Sequence, residues 1–276
     1  MKNFQLRFFS SILLILPLVF LFSNNNFLFL FTIFLLISIS LWEFLRLLSY
    51  RRNINFNNDK NLQFLLSRQK ISFFDIFLIF LINFLILIFF LNSKNYFFLL
   101  PFMIVILLFL FLFKDLFKIL GVLYLSSPFL VLIFLRNNEN FERLFFFILY
   151  FSILTDVFSY FTGKIFKGPK IYPKISAGKT ISGSIGGLLI PCIFSVLIFH
   201  NSNNIFFIIF SSIFFSFVIQ LGDFLESYFK RYCDVKDSSN LIPGHGGILD
   251  RLDGLILLIL IIFILNQFNF NFFFII

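Results

Sequence analysis

Residues 205–275 read IFFIIFSSIFFSFVIQL, then GDFLESYFKRYCDVKDSSNLIPGHGGILDRLDG, then LILLILIIFILNQFNFNFFFI. The outer blocks are apolar runs long enough for a bilayer, whose hydrocarbon core takes roughly 17–25 helical residues to cross. The middle block, 222–254, concentrates charge: six of the chain's 13 acidic residues lie between Asp223 and Asp253. In lipid every backbone N–H and C=O must be satisfied within its own segment, so the pattern reads as two membrane helices joined by a polar loop. Working back toward the N-terminus, seven more apolar runs follow, near 8–23, 27–45, 72–91, 97–113, 117–135, 144–162 and 184–200. The expectation is an all-α polytopic membrane protein with about nine transmembrane helices.

Composition supports that class. Of 276 residues 60% are hydrophobic and 13% charged, against about 25% charged in soluble domains. Disorder requires low hydrophobicity and high charge, which 52 phenylalanines contradict. Two cysteines, Cys192 and Cys233, exclude a disulfide scaffold. Lys2, Arg7 and the first apolar run resemble a signal peptide, but Asn24, Asn25 and Asn26 follow Ser23 where a small-residue cleavage site belongs, so an uncleaved first span is expected. With the N-terminus cytoplasmic, all of the 22 basic residues except Lys94, Arg136 and Arg143 fall on the inner side, as the positive-inside rule demands. The net charge of +9 then anchors the inner leaflet and is no nucleic-acid surface. Residues 1–143 hold about five spans; 144–276 form a catalytic transmembrane region with two cytoplasmic loops, 156–187 and 222–254.

Against a background of Phe, Leu, Ile, Asn and Ser, glycine is informative: every glycine but Gly121 lies from Gly163 onward. Glycine lets helices approach closely or opens the backbone to a ligand, so the chemistry is expected in the last two fifths of the chain. The first loop carries Lys164, Lys167, Lys170, Lys174 and Lys179 with no acid after Asp156. That charge suits a phosphate ligand, or simply fixes topology. Ser176, Gly178, Lys179 and Thr180 resemble the end of a P-loop, but Pro173 occupies the position of its first glycine, so that motif fails. A different phosphate-binding turn, ahead of a helix starting near Ser184, stays open.

The second loop is the stronger signal. Asp223, Glu226, Ser227 and Lys230 recur at spacings of three and four, lining one face of a helix that continues the eighth span. Asp250 and Asp253 share a face at the start of the ninth. Carboxylates at two helix ends suit a hard cation, with Mg²⁺ the natural candidate because it needs few protein ligands. Pro243, Gly244, His245, Gly246 and Gly247 form a tight turn with exposed amides, a cradle for pyrophosphate. Competing readings are a solvated hairpin with i,i+4 ion pairs, or an ion-coupled transporter whose buried acids line a path. Against the transporter, charge gathers at one membrane face, only Asp156 sits appreciably inside a span, and Asp75 near a span end reads as a helix cap. Cys192 and Cys233 read as small apolar side chains and His200 as interfacial.

At these residues the chain resembles the phosphatidate cytidylyltransferase, or CDP-diglyceride synthase, family. The family signature is filled without a gap by Ser227, Phe229, Lys230, Arg231, Lys236, Asp237, Ser239, Ile242, Pro243, His245, Gly246, Gly247, Ile248, Asp250, Arg251, Leu252 and Asp253. In the first loop Asp156, Tyr160, Gly163, Lys164, Pro173, Lys174, Ser176, Gly178, Lys179, Thr180, Gly183, Gly186 and Gly187 fall where the family has like residues. Phe158, Ile181 and Ser182 depart from its pattern.

The resemblance implies transfer of CMP from CTP to phosphatidic acid, giving CDP-diacylglycerol and pyrophosphate for phospholipid synthesis. It implies Asp223, Asp250 and Asp253 as Mg²⁺ ligands, with a second cation such as K⁺ admissible. Asp223, Asp250, Asp253, Lys230 and Arg251 become the candidate catalytic residues. Lys179, Ser176, Thr180, Ser227, Arg231, Lys236, His245, Gly246 and Gly247 become substrate-binding candidates. A homodimer in the bacterial inner membrane, its site facing the cytoplasm, belongs to the same expectation. The neighbouring alternatives are a polyprenol kinase or another lipid cytidylyltransferase.

Overall fold

The computed structural model describes residues 16–54, 71–91, 115–137, 140–176, 178–200, 204–242 and 246–268. Among them seven long helices carry the fold: α1 (Asn26–Ile54), α2 (Phe73–Leu91), α3 (Leu116–Leu135), α4 (Phe141–Phe166), α5 (Ile181–Ile198), α6 (Ile205–Tyr232) and α7 (Leu249–Gln267). Each coincides with one of the nine expected apolar runs. The run at 97–113 lies outside the described residues, as does most of the run at 8–23, of which 16–22 is helical. Six of the helices are long and apolar enough to cross a membrane. The seventh, α7, opens with Asp250, Arg251 and Asp253, which shortens its uncharged stretch.

The chain divides into two compact units. The first comprises Met1–Asn137 and Tyr232–Arg251. Here α1, α2 and α3 pack pairwise through stripes at helical spacing: Phe29, Ile33, Ile37, Leu41 and Leu45 of α1, and Leu78, Ile82, Ile86 and Phe89 of α2, are all buried. The other side of α2 exposes Phe73, Phe77, Phe80 and Phe84, an apolar face suited to lipid. Ser72 and Asp75 form a capping box at the start of α2: the Asp75 N–H donates to the Ser72 hydroxyl at 3.2 Å, and that hydroxyl donates to Asp75 Oδ2 at 2.8 Å. The expected cap is therefore present, but Asp75 is also buried and ion-paired with Lys118 of α3.

The second unit comprises Asn138–Arg231 and Leu252–Ile276. In it α4 and α5 lie against each other through small residues. Gly183, Gly186 and Gly187 of α5 meet Ser159 and Thr162 of α4, and Gly187 also lies against Thr155. Close backbone approach through small side chains is the usual way membrane helices associate without a hydrophobic driving force. Phe147, Phe151 and Phe215 stack edge to face in the core, with centroids 4.6 to 5.6 Å apart. Helix α5 begins at Ile181, three residues before the expected Ser184, because the Thr180 hydroxyl caps it by accepting from the Gly183 N–H at 3.1 Å.

One sequence expectation needs correcting. Asp156 is not alone among charges within apolar runs: Glu43 of α1 has no exposed surface, and Lys118 of α3 is 7% exposed. Both are buried inside the protein with polar partners, so neither faces lipid, which is the only arrangement that makes such charges affordable.

Candidate active site

In the second unit the two helix ends of the charged loop meet by a glycine crossing. A Cβ built on Gly222 would lie 2.7 Å from the carbonyl oxygen of Asp253 and 3.0 Å from the Cα of Gly254. Reciprocally, a Cβ on Gly254 would lie 2.6 Å from Cγ2 of Ile219. Backbone therefore touches backbone, and the residues next to these glycines, Asp223 on α6 and Asp253 on α7, are brought into electrostatic contact. Asp253 lies just ahead of the apolar stretch that starts at Leu255. Burial, then the charges of Asp223 and of Asp156 on α4, push its carboxyl up to about 7, while the Gly254 N–H and Lys230 pull the other way. Three carboxylates thus act on one another in one group.

Lysines approach it from two sides. Lys179 Nζ pairs with Asp223 Oδ2 at 2.5 Å, so the first loop reaches the second directly. Lys230 pairs with Glu226 at 2.6 Å, one turn along α6, and the Ser227 hydroxyl lies 3.5 Å from Asp223 Oδ1. The i,i+4 ion pair of the solvated-hairpin reading thus exists, on the same helix face as Asp223.

The first loop, residues 167–180, is folded back on itself. Ile171 N–H donates to Lys179 O at 3.1 Å and Ile181 N–H to Pro169 O at 2.9 Å, closing a short bridge between Lys170 and Thr180. Tyr172 O accepts from Ile175 and Ser176 N–H at its tip. Arg231 Nε donates to Ile175 O at 3.0 Å, and Tyr172 meets the Phe224 ring edge-on. Thr180 and Arg231, expected as substrate contacts, therefore have structural duties as cap and loop tie. Phe158, where the family pattern differs, stacks on Phe194 with centroids 5.6 Å apart.

The signature's residues from Lys236 to Arg251 belong to the first unit, where Glu43 binds both sides of the turn. Its Oε1 accepts from the Ser239 hydroxyl at 2.5 Å and the Ile248 N–H at 3.1 Å, and its Oε2 from the Leu249 N–H at 2.8 Å, with the Ser238 hydroxyl at 3.1 Å. Asp250 Oδ2 accepts from the Gly247 N–H at 2.8 Å and the Ser238 N–H at 3.0 Å. Gly246 has φ +82°, a conformation that favours glycine, and Ile242 N–H donates to its carbonyl at 2.9 Å. Pro243, Gly244 and His245 lie outside the described residues. Lys236 and Arg251 are exposed. Cys233 is fully buried, and burial pushes its thiol up to about 12, leaving no nucleophile there.

Among the described residues no three acidic, histidine or cysteine side chains form a ready-made metal cage. Mg²⁺ needs none, since it uses one or two carboxylates and completes its shell with phosphate and water. The Asp223 and Asp253 oxygens are hard donors of the kind such an ion takes, and their mutual repulsion is what a bound cation would relieve. Asp250 has its oxygens engaged by Ser238 and Gly247, so its role as a ligand rests on the signature alone. Sequence reasoning missed Glu43 and Arg46 as partners of the signature turn, and placed Asp156 inside a span and in the first-loop pattern without pairing it with Asp253. A lone acid in an apolar run was the available signal for Glu43.

Fold and site together define a polytopic helical membrane protein with acids and lysines gathered where its helices leave their apolar stretches. The sequence profile of the Cytidylyltransferase family matches residues 5–269, and the chain belongs to that family. It is similar to the phosphatidate cytidylyltransferase of Rickettsia conorii, at 40% identity over 160 residues covering 54% of this chain and 68% of the relative. The enzyme of the same name from Haemophilus influenzae is 45% identical over 121 residues, 40% of this chain and 42% of the relative. That of Bacillus subtilis is 37% identical over 138 residues, 49% of this chain and 51% of the relative.

Proposed function

We propose that this chain transfers CMP from CTP to phosphatidic acid in the bacterial inner membrane, with its site facing the cytoplasm, where the basic residues gather. The observation that carries the reading is the Gly222–Gly254 crossing, which sets Asp223 beside Asp253 while the first loop delivers Lys179 to Asp223. In the reaction a phosphate oxygen of the lipid forms a bond to the α-phosphorus of CTP. The bond from that phosphorus to the bridging oxygen breaks, and pyrophosphate leaves with the electron pair. Two anions must meet, so the barrier is mainly electrostatic and needs no nucleophilic side chain.

Asp223 and Asp253 would hold Mg²⁺, which supplies neutralising charge to the phosphates when bound. Lys179 and Lys230 then exchange their carboxylate partners for phosphate oxygens. The lipid's phosphate lies at the membrane surface level with these residues, and its acyl chains stay in the bilayer. A second cation such as K⁺ and a homodimer complete the proposal, on the strength of the resemblance. No observation favours a polyprenol kinase or a transporter.

Purified protein in detergent, given labelled CTP, phosphatidic acid and Mg²⁺, is expected to form a labelled lipid and pyrophosphate in equal amounts, and to stop in EDTA. Labelling of a polyprenol instead, or product unaffected by EDTA, would overturn the proposal. Lys179→Ala removes a charged contact worth roughly 1.5–3 kcal/mol, so KM for CTP is expected to rise about 10- to 100-fold. Steady-state kinetics at varied CTP checks this, and an unchanged KM would remove Lys179 from the nucleotide site.

A further inference from the structure

We infer that Glu43, with Arg46 beside it, is a positioning residue for the reaction: from the middle of an apolar helix it sets the backbone of the signature turn that carries Gly246, Gly247 and Asp250. The inference rests on the function proposed above and adds a residue that the signature does not contain.

Glu43 is separated by about two hundred residues from everything it holds. It has no exposed surface, and burying a carboxylate costs several kcal/mol unless its lone pairs are matched by donors. Four hydrogen bonds reach it from the signature turn, two from serine hydroxyls and two from backbone N–H groups at the start of α7. Those amides are the orphan donors of a helix N-terminus, which an acid serves well both as acceptor and as charge. Arg46, one turn further along α1, donates Nη2 to the Ser238 carbonyl at 3.0 Å and lies over the Trp42 ring at 4.4 Å.

Ser238 shows how closely the turn is specified. Its N–H goes to Asp250 and its carbonyl accepts from Arg46. Its hydroxyl lies 3.1 Å from Glu43 and 2.9 Å from Asp250. A hydroxyl has one proton to give, so Glu43 and Asp250 share this donor, at 3.1 and 2.9 Å. Glu43 and Asp250 thus hold one residue between them through the same hydroxyl. Gly247 completes the fit: any Cβ there would fall on the Ser238 hydroxyl and the Glu43 carboxylate.

A merely structural acid would be interchangeable with Asp75, which is also buried in the first unit but paired with Lys118 and with its own helix cap, Ser72. The comparison supplies the test. Full-length Glu43→Ala, Glu43→Gln, Ser239→Ala and Asp75→Asn are purified in detergent and assayed for CDP-diacylglycerol formation, with folded yield and thermal midpoint measured in parallel.

Misplacing reacting groups by about 1 Å costs on the order of 100-fold, so Glu43→Ala is expected to lower kcat by about that factor. KM for phosphatidic acid should move less than about threefold, within what one weak contact is worth. Glutamine keeps one acceptor oxygen but sets an amide against a donor, so Glu43→Gln is expected to recover about tenfold of the loss. Asp75→Asn is expected to lower the thermal midpoint while kcat holds. If Glu43→Ala fails to fold, Glu43→Gln and Ser239→Ala carry the test, each with lowered kcat and their double variant less than additive. Unchanged kcat in both, or a loss matched by Asp75→Asn at equal stability, overturns the inference. An inactive wild-type protein would instead strike at the function itself.

Discussion

Asp253→Asn is expected to cut CDP-diacylglycerol formation about a thousandfold, the upper range for removing one preorganised electrostatic group, while leaving the metal-free protein as stable as the parent or more so. The two halves of the prediction have one cause. Asp253 is buried and shares its surroundings with Asp223 and Asp156, and burial first, then their repulsion, raises its carboxyl from 3.8 to about 7. The folded state therefore binds this proton more tightly than the unfolded chain does. Stability from the group is fully present below about pH 4, falls as pH rises, and is lost above about 7. An asparagine carries no such dependence. Thermal unfolding in EDTA at pH 5 and pH 8 should show a smaller decline for the variant than for the parent, and Mg²⁺ at pH 8 should stabilise the parent alone. Retained activity would remove Asp253 from the chemistry. A lowered midpoint at pH 8 in EDTA would make it a structural residue.

How far the sequence reveals this site depends on whether its partners lie on one helix or on distant ones. Asp223, Glu226, Ser227 and Lys230 are legible because their spacing is helical and the apolar run before them forces the helix to continue, as α6 does to Tyr232. The glycines are legible as a class, since they gather where backbones meet. Their pairing is not, because nothing in the text of the chain says that Gly222 crosses Gly254. Glu43 shows the opposite limit. A hydropathy average over about 19 residues absorbs a single acid, and its partners stand far away in the chain, so local pattern offers only the oddity of a charge in an apolar run. Lys118 and Asp75 are hidden in the same way, each looking like the polar edge of its own helix until the fold joins them. The first loop was readable as basic, but which lysine reaches an acid depends on the backbone bridge of Lys170 to Thr180, which depends in turn on where α5 is capped.

Gly222→Ala is the change expected to damage the site most without touching a charged group. Alanine is favoured over glycine inside a helix by about 0.8–1.0 kcal/mol, so on propensity alone the substitution would stabilise α6. The new methyl, however, would sit 2.7 Å from the Asp253 carbonyl oxygen and 3.0 Å from the Gly254 Cα, with Leu257 Cβ at 3.3 Å. The two nearest atoms are backbone and cannot rotate away, so the helices must separate. Overpacking of this kind costs about 1–3 kcal/mol, which exceeds the propensity gain through most of that range. Separation also moves Asp223 away from Asp253, and a shift of about 1 Å at a reacting centre is worth on the order of 100-fold in rate. The expected result is kcat down by about that factor with a lowered thermal midpoint. Leu221→Ala, at the neighbouring position that is 40% exposed, should do neither beyond about 0.5 kcal/mol. Kinetics and unfolding of both variants in one detergent decide the matter. If Gly222→Ala keeps parental kcat, the crossing does not set the distance between the acids, and the arrangement proposed for the cation loses its support.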